Sequence, residues 1–215
     1  MKNNNSTSIL LVIDRSGSMQ SLHKDLIGGL NNYISEQKKI EGECNVSVVQ
    51  FDTTIEDVIW NVPLNFVPTF DAATHFIPRG GTSLYDAIGY GVNKLGKELS
   101  NTPEKDRPKN VIVVIYSDGE ENSSKEFNSE KVKKVITHQS DVYSWNFVYL
   151  GANQDSILNA KTIGISASNT INFSTTPVGS FYACSGINMS TTSLRSRGQS
   201  YSFSEADRTL CSLTN

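Results

Sequence analysis

Three short stretches of this sequence carry the side chains best suited to chemistry. Asp14-Arg15-Ser16-Gly17-Ser18 follows the apolar run 9–13, and Ser117-Asp118-Gly119-Glu120-Glu121-Asn122 follows the apolar run 111–116. Gly80-Gly81-Thr82 closes a long irregular segment. Asp14 and Asp118 offer two carboxylates and Ser16, Ser18 and Thr82 three hydroxyls, with glycines that let the backbone turn tightly beside them. The set is all oxygen, with no imidazole or thiolate, and hard oxygen ligands select Mg2+ or Mn2+ over zinc or copper. Two hydroxyls at i and i+2 of a tight loop can face one ion, and two carboxylates balance its charge. An octahedral ion held largely by neutral hydroxyls keeps positions open for water or an incoming ligand, and that open position is where such a site would act.

The elements that must position these loops follow from periodicity. Residues 8–13 read as a buried strand, after which Leu22, Leu26, Leu30, Tyr33 and Ile34 mark one face of a helix ending near Lys39. Residues 44–51 and 55–60 are strands joined by Asp52-Thr53-Thr54, a link too short for a crossover helix, so they form an antiparallel hairpin at or near a sheet edge. A proline-containing loop spans 63–81, and a helix opening at Ser83 carries Leu84, Ala87, Ile88, Val92, Leu95 and Leu99 on its face. Residues 111–116 are apolar on both faces, as a central parallel strand covered by helices must be. A helix near 129–138, a strand over 142–150, a helix near 154–163 and a short strand at 170–173 follow. Thr176-Pro177 then starts a last helix with Val178, Phe181, Tyr182 and Met189 inward, Arg195 and Arg197 at its C-terminal dipole and Gly198 as its stop. Alternating strands and helices make an α/β protein with an open sheet. In such a sheet ligands bind beyond the carboxyl ends of the strands, where the three stretches lie.

Length and composition bound the rest. The 215 residues suit one domain, expected over 6–197, with a polar C-terminal tail at 198–215. With 19 basic and 22 acidic residues there is no general positive field for a nucleic-acid backbone. No apolar run approaches the roughly 17 to 25 residues of a membrane span, and none resembles a signal-peptide core, so a cytoplasmic location is expected. Three widely spaced cysteines, Cys44, Cys184 and Cys211, favour neither a disulfide framework nor a thiolate zinc site.

Each stretch also has a plainer reading. Ser16 or Ser18 can cap the following helix, Thr82 or Ser83 can cap the helix at Leu84 with Ser83-x-x-Asp86 as a capping box, and Asp118-Gly119 can be a turn. Glu120 and Glu121 can deepen a negative field or form a solvated loop face, and Asn153 and Asp155 can share the rim or cap a helix. Gly91-Val-Asn-Lys-Leu-Gly96-Lys97 nearly spells a phosphate loop, but Glu98 replaces its hydroxyl and the stretch lies inside a helical period, so it reads as helix packing. On residues alone three functions stay open: a metal-dependent protein-binding module, a Mg2+-dependent enzyme acting on phosphates with His23 or His75 moving protons, and a binder of a small anion.

Asp14-x-Ser16-x-Ser18, then Thr82, then Asp118, each after the appropriate element, resembles the metal-ion-dependent adhesion site of von Willebrand factor A domains. The resemblance covers roughly residues 6 to 197. Its end, with Gly151-Ala152-Asn153-Gln154-Asp155, is similar to short stand-alone members from bacteria and their phages. The resemblance implies a Rossmann-like mixed sheet of about six strands, order 3-2-1-4-5-6 with strand 3 antiparallel and helices on both faces. It implies that Ser16 and Ser18 ligate Mg2+ or Mn2+ directly, that Asp14 and Asp118 bind directly or through water, and that Thr82 changes between the two. It also implies a protein ligand offering an Asp or Glu carboxylate, and binding rather than turnover.

Overall fold

A computed structural model describes residues 6–118, 120–152 and 156–212. The strands are β1 (Thr7–Asp14), β2 (Cys44–Phe51), β3 (Ile55–Pro63), β4 (Asn110–Ser117), β5 (Asn146–Gly151) and β6 (Thr170–Asn172). The helices are α1 (His23–Lys38), α2 (Leu84–Asn101), α3 (Ser129–Tyr143), α4 (Ser156–Thr162), α5 (Pro177–Arg197) and α6 (Glu205–Cys211). They form an open six-stranded sheet of order β3-β2-β1-β4-β5-β6, in which β3 runs antiparallel to β2 and the other neighbours are parallel. This is the order and sense that the family resemblance implied, and the hairpin closed by Asp52-Thr53-Thr54 is the one the short link itself predicted.

Every residue of β1 and β4 is buried, and their alternating side chains feed two cores. Ile9, Leu11 and Ile13 join Leu26, Leu30 and Tyr33 of α1 and Ala183, Ile187 and Leu194 of α5 on one face. Leu10 and Val12 join Leu84, Ile88 and Val92 of α2 and Val132 and Ile136 of α3 on the other. The near-phosphate-loop stretch lies within α2, a helix whose glycines serve packing. A Cβ on Gly91 would stand 3.2 Å from Leu10 Cδ2, and one on Gly89 would stand 2.6 Å from the Phe127 ring.

Three expectations need correction. Val142 and Tyr143 belong to the exposed end of α3 rather than to β5, because the helix runs on until Ser144 adopts a left-handed conformation (φ 56°) and stops it. On α5, Phe181 and Met189 point outward, and the inward face is built from Ala183, Cys184, Ile187 and Leu194. Small residues win there because α1 and α5 cross closely: a Cβ on Gly29 would lie 2.2 Å from Cys184 Sγ. Arg195 stands in the last turn of α5 as expected, but it is buried there and donates to the carbonyls of Gln37, Ile40 and Gly42 at the end of α1. Gly198 ends α5 with φ 65°, as expected. Beyond it, where a polar tail was expected, α6 is closed by a Ser204–Asp207 capping box, and Tyr201, Phe203 and Cys211 enter the α1–α5 core.

Candidate metal centre

Parallel pairing of β1 with β4 places Ile13 opposite Tyr116, so the next residues, Asp14 and Ser117, leave the sheet side by side. The Ser117 hydroxyl donates to Asp14 Oδ2 at 2.6 Å, and the Ser16 amide donates to Asp14 Oδ1 at 2.7 Å. The Ser16 and Ser18 hydroxyls stand 3.0 Å apart, and Ser18 donates to Asp118 Oδ1 at 2.7 Å. A continuous polar chain therefore runs Ser117–Asp14–Ser16–Ser18–Asp118. Asp14 and Ser16 are buried, Asp118 is half-buried and Ser18 is exposed, so the chain opens at one end to solvent. Ser16 holds the cap position of a short 3-10 turn, and Ser83 that of α2, yet neither side chain makes a capping hydrogen bond. The plainer reading of Ser16 and Ser83 as caps thus lacks its contact.

Thr82 reaches this place through its backbone. Arg79 N–H donates to the Arg15 carbonyl (2.9 Å) and Gly17 N–H to the Gly80 carbonyl (3.1 Å), zipping the two loops together. Gly80 sits at φ +67°, which favours glycine. Thr82 N–H donates to Asn122 Oδ1 at 2.9 Å, while the Asn122 and Ser123 amides donate to the Thr82 carbonyl. The side chains of Asp14, Ser16, Ser18 and Asp118 thus meet at one end of β1 and β4, and backbone contacts hold Thr82 in the adjoining loop.

The loop after Asp118 is fastened by residues whose part the sequence did not disclose. Glu121 accepts from the amides of Tyr85, Ser123 and Ser124, so it caps α2 from another loop instead of lying in solvent. Asp86 accepts from the amides of Lys125, Glu126 and Phe127 and so does not form the expected box with Ser83. Glu120 is exposed. Ser117 stands in one of the stretches singled out from sequence, but its part as the partner of Asp14 was not foreseen, although its position as the last residue before Asp118 on a fully buried strand marks it as a neighbour of Asp14. Asn153 and Asp155 lie outside the described residues.

Burial pushes the Asp14 carboxyl from an ordinary 3.8 up to about 6, against the hydrogen bonds from Ser117 and Ser16 and with the charge of Asp118 adding to the rise. Burial likewise raises Asp118, opposed by the Ser18 hydroxyl. Two acids that resist ionisation beside one another, lined by hydroxyls, form an environment that a divalent cation would relieve. Among the described residues no three His, Cys, Asp or Glu side chains gather to hold a metal. Any shell here therefore needs the serine and threonine oxygens, and that donor chemistry fits Mg2+ or Mn2+.

The two histidines are engaged elsewhere. His23 Nε2 donates to the His75 carbonyl at 2.9 Å, and His75 Nδ1 lies within hydrogen-bond distance of the Asp71 amide and the Thr74 hydroxyl. Both rings organise the long loop after β3. No described helix is long and apolar enough to cross a membrane.

The family model described as von Willebrand factor type A domain matches residues 8–180. Among solved structures, a von Willebrand factor type A protein from Catenulispora acidiphila superposes with a TM-score of 0.60 at 13% identity, covering 87% of this chain and 43% of that one. A manganese-loaded Plasmodium vivax TRAP protein gives 0.57 at 16% identity, covering 80% and 69%. Proximal thread matrix protein 1 from the mussel byssus, described with a zinc-occupied MIDAS motif, gives 0.55 at 15%, covering 88% and 45%. The chain spans less than half the length of the first and third. At these identities the likeness is one of fold. No curated protein matches.

Proposed function

This chain belongs to the von Willebrand factor type A domain family, and from that premise we propose that it is a divalent-cation-dependent protein-binding module with an intact metal-ion-dependent adhesion site. Asp14, Ser16, Ser18, Thr82 and Asp118 would hold Mg2+ or Mn2+. The observation that carries the reading is the polar chain from Ser117 through Asp14, Ser16 and Ser18 to Asp118, closed at its buried end and open at Ser18. Bound there, the cation would supply an electrophilic open position for an Asp or Glu carboxylate of a partner protein. The family's structural neighbours with manganese and zinc at hand lend support, as proteins in which such metals are described.

Binding fits the residues better than turnover does. Ser117 holds the inner oxygen of Asp14, Glu121 and Asn122 fix the loop bearing Asp118, and His23 and His75 are committed to the loop after β3 rather than offered as a base. The three cysteines are free thiols, which suits the reducing cytoplasm. The narrower kinship, to short stand-alone bacterial or phage members, rests on the segment from Gly151 to Asp155.

Partner capture in Mg2+ or Mn2+ tests this reading. Capture should be lost in EDTA and in Asp14→Ala and Asp118→Ala proteins that retain their circular dichroism. Retention of the partner by both variants overturns the proposal.

A further inference from the structure

Next to the metal loops lies a cluster of four charges that the proposed site does not use. Arg15 is the residue between Asp14 and Ser16, and Arg79 immediately precedes Gly80-Gly81-Thr82. Both guanidinium groups reach the β2–β3 hairpin and grip the same two oxygens. Arg15 Nε lies 3.0 Å and Arg79 Nε 2.6 Å from Asp52 Oδ2, while Arg15 Nη2 lies 2.9 Å and Arg79 Nη2 3.0 Å from Glu56 Oε1.

Asp52 is the corner of this arrangement. Its side chain is 1% exposed, its other oxygen accepts from the Thr54 amide and hydroxyl, and its carbonyl accepts from the Ser83 amide. One residue thus holds the loop of Ser16 and Ser18 through Arg15, and the loop of Thr82 through both Arg79 and Ser83. Across from it, a Cβ on Gly81 would lie 2.4 Å from Ser123 Oγ, so the Thr82 loop is confined from both sides.

We propose that Asp52 is a positioning residue for the metal site: by gripping Arg15 and Arg79 it sets the separation between the Ser16–Ser18 loop and Thr82. This rests on the metal reading above. The two arms differ in character. The Arg15 side chain is 6% exposed, whereas that of Arg79 is 56% exposed and can let go without unfolding its surroundings. Arg79 is therefore the arm that can be removed cleanly.

A charge near a cation also acts through its field, and the two roles are separable by sign. Arg79→Ala removes a positive charge beside the site, so a field effect alone would tighten cation binding. A positioning role weakens it, because the Thr82 loop loses a tether. Asp52→Asn weakens binding on either account and so only sets the scale.

The experiment is calorimetric titration of the full chain with Mn2+, together with water-proton relaxation of the bound ion. Asp52→Asn should weaken Mn2+ by about tenfold and Arg79→Ala by about threefold, at or below the low end of what partners of metal ligands cost. In both variants the bound ion should relax more water, since a displaced Thr82 leaves a position to solvent. A loss of stability alone would leave relaxation per bound ion at the wild-type value. Tighter or unchanged Mn2+ binding by Arg79→Ala, with unchanged relaxation, overturns the proposal. Should Asp52→Asn fail to fold, Arg79→Ala decides by itself. Wild-type protein that binds no Mn2+ would instead overturn the metal reading on which the proposal rests.

Discussion

In the metal-free protein the ionised Asp14 carboxylate opposes folding, so replacing it by asparagine should stabilise that state. Asp14 is 0% exposed, and burial lifts its carboxyl from 3.8 to about 6. A rise of roughly two units amounts to ~3 kcal/mol at 1.36 kcal/mol per unit, favouring the protonated form in the fold. The penalty is absent below the unfolded value, grows as pH rises between the two values, and is complete above about 6. Asparagine keeps an oxygen for the Ser16 amide and turns its NH2 toward the Ser117 hydroxyl, at a loss of about 1 kcal/mol in hydrogen bonding. The net gain is ~2 kcal/mol, or roughly 4–8 °C in Tm for a chain of this size. The assay is thermal unfolding of wild type and Asp14→Asn in EDTA at pH 7.5 and at pH 4. The variant should melt higher at pH 7.5, and the gap should close at pH 4. Saturating Mg2+ should reverse the order, since ligand at 100 times Kd adds about 2.7 kcal/mol to the protein that binds it. An Asp14→Asn protein that melts lower than wild type in EDTA at pH 7.5, or a gap indifferent to pH, would refute the reasoning.

Three further outcomes follow from the packing and the charges. Gly89→Ala should cost about 1–3 kcal/mol in urea unfolding, because the new Cβ would meet the Phe127 ring at 2.6 Å; a neutral result would show that this ring moves freely. Phe203→Ala should lower stability by about 3–5 kcal/mol if the segment after Gly198 is docked as described, and an unchanged urea midpoint would contradict that docking. Burial works to raise Asp52, but hydrogen bonds from Arg79 and Thr54 and the charge of Arg15 outweigh it and hold the carboxyl below its ordinary 3.8. Its stabilising contribution is therefore present above that value and lost as pH falls through the folded one. Unfolding between pH 2 and 5 should be less pH-dependent in Asp52→Asn than in wild type, and equal slopes would argue against the ion pairs.

Much of the sheet was legible because burial leaves a direct mark on sequence. Residues 111–116 are apolar on both faces, and the tight Asp52-Thr53-Thr54 link permits no geometry but a hairpin. The errors fall where that mark is ambiguous. Val142 and Tyr143 are apolar yet end a helix, because termination at Ser144 depends on a backbone conformation that residue type does not announce. Phe181 and Met189 looked inward by size, but a close α1–α5 crossing admits small residues, and closeness of approach is a property of two helices together. The segment after Gly198 reads as polar, and its Tyr201, Phe203 and Cys211 find a core only once α1 and α5 have built it.

At the site, sequence alone determined the donor types: oxygen side chains after apolar strands, with glycines beside them, and hence a hard cation as the chemistry in question. Which donors meet was decided by the tertiary structure. Asp14 touches Ser117 across 103 residues because parallel pairing fixes the register of β1 against β4. Asp52 joins Arg15 and Arg79 because the β2–β3 hairpin ends beside both loops. A carboxylate's partners and its burial are set by neighbours distant in the chain. The same packing that brings those neighbours together excludes the water that would otherwise hold its charge, and that exclusion lifts Asp14 to about 6.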